Sequence, residues 1–183
     1  MSPATVIRRS LRSPSLRFLL IFCTAALLGF ALEVIPWVDD HLVKPLISGI
    51  AWLSGALIRL AGGLAMVSDD VIRHPVNGFA IKIANGCSGL EAAILLAAGM
   101  MAFPATWRQR ALGWVAGTAT IMTLNVVRVI SLYFLGQYSR ALFDWAHLYA
   151  WDVLIMIDGL VVFFLWIKWL PSHARSSDVC TAT

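Results

Sequence analysis

The sequence predicts an all-α polytopic membrane protein with four transmembrane helices, an outer-surface or partly inserted helix, and a short β-hairpin. Three observations carry that expectation. Apolar residues fill 60% of the 183 positions and charged residues only 13%, against roughly half and a quarter in soluble domains. The apolar residues gather into runs near the length of about 20 residues that crosses a bilayer. The basic residues gather at the ends of those runs. So short and apolar a chain leaves no room for a separate soluble core, and residues 1–183 read as one membrane-embedded domain. A net charge of +4 spread over membrane flanks is a topology signal and not a nucleic-acid surface.

The elements follow in order. Residues 1–16 form a basic cytoplasmic leader with Arg8, Arg9 and Arg12. Arg17 opens an apolar stretch to about Trp37, closed by Pro36, Asp39 and Asp40. No small-residue cleavage site follows, so this is an uncleaved span and not a signal peptide. A second helix covers His41 to Met66. On it Lys44, Ser48, Ala51, Gly55, Arg59 and Gly62 recur at spacings of three and four, making one polar or small face. Placing Arg59 in lipid costs about 2.5–3.5 kcal/mol, which favours a helix lying along the outer surface or partly inserted. The alternative is an ordinary span packed through its small residues.

Residues 68–84 read as a β-hairpin. Phe79, Ile81 and Ile83 alternate with Ala80 and Lys82, and Asn77-Gly78 is a two-residue turn signal. Ser88-x-x-Glu91 has the form of a capping box and starts a span that runs to Phe103, where Pro104 stops it. Thr106-x-x-Gln109 is a second capping box, opening a helix that reaches about Leu135. The turn between these helices carries Arg108 and Arg110. A last span runs from about Asp144 or His147 to Leu170, followed by a cytoplasmic tail at 171–183. Placing the leader, the Arg108/Arg110 turn and the tail on one side satisfies the positive-inside rule. That needs an even number of crossings, so the second helix does not cross. The hairpin, Cys87 and His147 then share the outer face.

Three cysteines occur, with no Cys-x-x-Cys pair and no Cys/His cluster, so neither a disulfide scaffold, a metal site nor a cofactor is expected. Cys23 lies mid-span and reads as a packing residue, and Cys180 sits in the polar tail. Cys87 stands where the hairpin meets a helix start, a placement expected to lower a thiol pKa through the helix dipole. Arg128 interrupts an apolar helix and cannot shed its proton, so it needs a partner, water or a substrate. His147 opens the last span. At about 1.5 Å per residue, Cys87 lies about 25 Å above Pro104 and Arg128 about 33 Å above Thr106. Both approach the outer edge of a core about 30 Å thick, at the depth of His147. Shared depth leaves the azimuth open. Supporting candidates are Ser88; Glu91, one turn below Cys87; Asn125, on the face of Arg128; and Asp144, placed to hold the His147 imidazole or merely to cap the helix. Asp158 is an acid near mid-span that either pairs with a hydroxyl such as Thr120 or Thr123 or is protonated, and no chemistry attaches to it.

These residues stand in the runs Asn85-Gly86-Cys87-Ser88-Gly89-Leu90-Glu91, Asn125-Val126-Val127-Arg128-Val129-Ile130 and Trp145-Ala146-His147. In that order they resemble the exosortase/archaeosortase family, and the likeness covers roughly residues 71–170. The short chain, with Phe103-Pro104-Ala105-Thr106-Trp107-Arg108 and Phe143-Asp144-Trp145-Ala146-His147-Leu148-Tyr149, is most similar to that family's exosortase H branch, which lacks the extra N-terminal spans of larger members. The resemblance implies a membrane-embedded cysteine transpeptidase or protease in a bacterial inner (plasma) membrane, with its site facing the periplasm. It implies Cys87 as nucleophile, Arg128 as carbonyl or oxyanion stabiliser and His147 as general acid/base. The implied partners are membrane lipid and exported proteins whose C-terminal sorting signal holds a short motif, of the Ile-Pro-Thr-Leu…Trp-Gly type, then a transmembrane helix and a basic cluster. The acceptor (water, a lipid or a glycan) stays open. The rival readings are a non-catalytic membrane assembly or transport protein with a structural Cys and intramembrane charges, and a membrane thiol oxidoreductase, which the lack of a paired outward Cys disfavours.

Overall fold

The structure, a computed structural model, describes residues 13–170. Most of the leader, the tail and Cys180 lie outside the described residues. Helix α1 spans Pro14–Glu33. Ser13 caps it by accepting the Leu16 amide, and Pro14 supplies a first-turn φ. Helix α2 spans Pro36–Leu60, starting earlier than the second helix read from sequence and ending before Met66. Three strands follow, β1 (Met66–Ser68), β2 (Val71–Arg73) and β3 (Ala80–Lys82). A 3₁₀ turn at Asn85–Cys87 leads to α3, Leu90–Ala102. Helix α4 spans Trp107–Tyr138 and α5 spans Arg140–Trp169.

The expected hairpin is a three-stranded antiparallel sheet in the order β1-β2-β3. The tight two-residue turn is Asp69-Asp70, between the paired Ser68 and Val71, and Asp69 takes a left-handed φ of 53°. Asn77-Gly78 sits instead inside a longer loop between the paired Arg73 and Ala80. That loop folds on itself: His74 Nδ1 accepts the amides of Val76 and Asn77, and Asn77 Oδ1 accepts that of Phe79.

Two apolar clusters divide the bundle along its length. The first joins Val43, Ile47 and Ile58 of α2 to Ile72 and Ile81 of the sheet and to Val126, Val129 and Tyr133 of α4. The second joins Leu96 and Met100 of α3 to Ile121 of α4 and Trp166 of α5. Trp166 fills the space over Gly113, where a side chain would overlap the indole, and its Nε1 donates to the Gln109 carbonyl. The capping box at Thr106 and Gln109 forms as the sequence predicts. The one at Ser88 does not: Gly89 takes the cap position at φ +77°.

Four helices are long and apolar enough to cross a membrane, α1, α2, α4 and α5, while α3 is shorter. Both ends of α2 are tied to the Cys87 end of the bundle. At its start Asn85 Nδ2 donates to Asp39 Oδ1 at 3.1 Å. At its end Tyr133 Oη donates to the Leu64 carbonyl at 2.6 Å, and Arg59 Nη1 reaches the Ala65 carbonyl at 3.0 Å. The small face read from sequence is the seat for β1, since a side chain at Gly55 would overlap Val67. Helix α3 packs chiefly on α1, α4 and α5.

Candidate functional site

Three chain segments converge at the end of the bundle covered by α2 and the sheet. Arg128 reaches inward from α4 and is only 2% exposed. Its Nη2 lies 3.7 Å from Cys87 Sγ, within the reach of an N–H···S hydrogen bond. The same nitrogen donates to Asp152 Oδ1 of α5 at 3.0 Å. A buried guanidinium requires a counter-charge, and Asp152, with its side chain 59% exposed, supplies one at the edge of the site. The depth match read from helix rise is therefore a contact between Cys87 and Arg128.

His147 opens on the same cavity, of about 170 Å³, with Cys87 and Arg128 in its wall. Its ring stacks on Phe143 with centroids 5.6 Å apart. Its Nδ1 is buried without a hydrogen-bond partner. Residues Ala146–Ala150 form a π turn. A π turn closes over five residues, not four, so it shifts the phase of α5 just ahead of Asp152.

The supporting candidates divide. Ser88 is fully buried; its Oγ donates to the Asn85 carbonyl at 2.7 Å and accepts the Leu90 amide at 3.2 Å, so it holds the cysteine turn together. Asn125 is fully buried, and both its amide atoms lack partners among the described residues. Its side chain lies against Gly89, where an added Cβ would sit 3.5 Å from Asn125 Cβ. Glu91 is exposed and lines a second cavity. Asp144 is exposed, and no hydrogen bond joins it to His147; the acid that reaches the site is Asp152, through Arg128. Asp158 pairs with neither threonine, since Thr120 and Thr123 donate to the Ala116 and Ala119 carbonyls of their own helix. Cys23 is exposed on α1 and not packed inside.

The second cavity is larger, about 570 Å³. It runs along the bundle between Phe18 and Phe22 of α1, Leu95 and Gly99 of α3, and Met156 and Phe163 of α5, and it ends on Glu91, Arg128 and Asp152. Arg128 belongs to the walls of both cavities.

The electrostatics of Cys87 correct the expectation of a lowered thiol pKa. Burial pushes the thiol up; the Arg128 guanidinium pulls it down, while Asp152 and Glu91 push it up again. The net direction is upward. The helix dipole is also weaker than expected, because Cys87 ends a 3₁₀ turn ahead of the α3 cap at Gly89. Burial thus favours the thiol over the thiolate. Among the described residues no three His, Cys, Asp or Glu side chains group as a metal-binding set.

A buried arginine set between a cysteine and an aspartate, in a bundle of helices long and apolar enough to cross a membrane, defines a membrane protein with a polar cluster at one end of its bundle. The transmembrane exosortase family model matches residues 13–167, nearly all of the described chain, and the protein belongs to that family. Comparison with curated proteins and with solved structures returned no match. Family membership supports a multi-pass membrane protein acting as a sorting transpeptidase in general terms, and the exosortase H likeness fits it.

Proposed function

We propose that the protein is a cysteine transpeptidase that removes the C-terminal sorting tails of exported proteins at the outer face of a bacterial inner membrane. The observation that carries this reading is the buried Arg128 guanidinium 3.7 Å from the Cys87 sulfur, with His147 opening on the same cavity. The substrate's tail helix lies in the apolar groove between α1 and α5, and its scissile peptide bond sits where the groove ends at Arg128.

Cys87 starts as a thiol, so attack requires a base. His147 takes the thiol proton as sulfur attacks the scissile carbonyl. Arg128 stabilises the oxyanion that forms. Collapse breaks the C–N bond, leaves an acyl-thioester on Cys87, and returns the proton from His147 to the departing amine. Water, or a hydroxyl or amine of a lipid or glycan, then attacks the thioester, giving its proton to His147, which passes it back to the departing sulfur. Asp152 holds the guanidinium plane and balances its charge.

Two features support the orientation. The turn with Arg108 and Arg110 lies at the bundle end away from Cys87, where the positive-inside rule places basic residues in the cytoplasm. The α2 and sheet layer then roofs the site on the outer side. Cells in which the wild-type gene is replaced by Cys87→Ala are expected to accumulate the unprocessed tailed protein, seen by mass spectrometry as an intact C-terminus. Normal processing by that variant would return the chain to the reading of a non-catalytic assembly protein.

A further inference from the structure

Strand β3 ends the sheet, and its free edge belongs to the cavity that holds the reactive residues. The hydrogen-bond pattern shows which backbone groups that edge offers. Ile83 N donates to the Asp70 carbonyl at 2.9 Å, and His74 N donates to the Phe79 carbonyl at 2.7 Å. The register pairs Val71 with Lys82, Ile72 with Ile81 and Arg73 with Ala80. Hydrogen-bonded and non-hydrogen-bonded pairs alternate in an antiparallel ladder. Phe79, Ile81 and Ile83 thus turn their amides and carbonyls toward β2. Ala80 and Lys82 turn theirs away from it, and no further backbone hydrogen bond takes them up among the described residues.

The cavity confirms where that edge faces. All five consecutive residues from Phe79 to Ile83 line it, together with Cys87, Arg128 and His147. Side chains along a strand alternate between the two faces, so a cavity walled by five in a row meets the strand at its edge. At about 170 Å³ the space suits a few residues of extended chain and not a helix. Cys87 follows the end of β3 by five residues, through the 3₁₀ turn.

We propose that β3 is the rail for the substrate's recognition segment, which adds to the sheet as a fourth strand and carries the scissile carbonyl past the strand end to Cys87. An added strand takes its affinity from main-chain hydrogen bonds and its specificity from alternate side chains. Here the bonds come from Ala80 and Lys82. Alternate substrate side chains meet Val129, Leu132 and Phe143, so the class of peptide selected is extended and apolar at every second residue. The inference rests on the cysteine transpeptidase reading and adds to it the conformation and register in which the peptide binds.

The test uses full-length enzyme in phosphatidylethanolamine/phosphatidylglycerol vesicles with a synthetic tail peptide: an Ile-Pro-Thr-Leu segment, an apolar helix of about 20 residues and an arginine cluster. Single backbone N-methyl groups are walked through the recognition segment, and cleavage is read from the mass of the new C-terminus. The expected pattern has a period of two, with cleavage falling about tenfold where a donor to β3 is removed and little changed at the positions between. In a second arm, Lys82→Pro deletes an outward N–H while leaving the ladder to β2, and it slows the unmodified peptide by a similar factor. Cleavage insensitive to N-methylation, or sensitive only at the scissile amide, overturns the rail and leaves the cysteine reading intact. Absence of any Cys87-dependent cleavage of the unmodified peptide overturns both.

Discussion

The two cavities that meet at Arg128 differ in every property that matters for a reaction at a membrane. The larger is walled by Phe18, Phe22, Leu95, Leu160 and Phe163 and runs along the spans. The smaller is walled by the β3 edge, Arg140, Phe143 and His147 beneath the sheet. One suits the face of an apolar helix and the other a short polar backbone. The difference teaches why the arginine is buried. A guanidinium exposed in the groove would repel an apolar tail, whereas one sunk between the cavities and neutralised on the groove side by Asp152 directs its remaining donor capacity toward Cys87. On the proposed reading, a single side chain separates binding from chemistry.

The largest effect that breaks this comparison comes from the partition itself. Arg128→Lys keeps the charge but replaces a planar fork by a point donor, and it is expected to reduce processing by a factor on the order of 10²–10³, the range for losing one oxyanion donor. Processing within a fewfold of wild type would mean that the guanidinium does not act on the carbonyl. A smaller effect separates the two cavities. Gly159 borders the groove with open space where its side chain would start. Gly159→Trp should fill the groove and slow processing of a tailed substrate on the order of tenfold, as a loss of about 1.4 kcal/mol of binding gives. Alkylation of Cys87 by iodoacetamide should be unaffected in that variant. A parallel loss of alkylation would show that the groove and the thiol are one site.

The smallest effect sharpens the electrostatic contrast. Because the Cys87 pKa is raised, chiefly by burial, the reactive thiolate is scarce at neutral pH, and alkylation should rise with pH through a midpoint above the ordinary thiol range. Asp152 contributes to the upward shift. Asp152→Asn removes that negative charge and should lower the midpoint, speeding alkylation at fixed pH while slowing processing through the loosened guanidinium. Rates followed across pH in both proteins check the sign; a midpoint moving upward would contradict the charge assignment.

Much of this site could be read from the sequence because it depends on length. Helix rise alone put Cys87 and Arg128 at one depth, and the 3.7 Å contact followed once the helices packed. Periodicity likewise found the small face of α2, although Gly55 serves a strand and not another span. What escaped depended on phase and on desolvation. Asp152 was missed because its partner is Arg128 of another helix, a pairing set by how α4 and α5 pack, while a count along one helix favoured Asp144. Strand β1 was missed because three residues are too few for alternation to register. The Ser88 capping box failed because Gly89, free to adopt φ +77°, ended the turn one residue later. The direction of the Cys87 shift was misjudged because the dipole was weighed without burial and without Asp152 and Glu91.

Trapping the covalent intermediate tests the account at its centre. Enzyme in vesicles is given the tail peptide with hydroxylamine, which intercepts a thioester and leaves a hydroxamate on the new C-terminus. The account predicts a hydroxamate product with wild-type enzyme and none with Cys87→Ala. Release of a plain carboxylate with no hydroxamate, at an undiminished rate in Cys87→Ala, would contradict it.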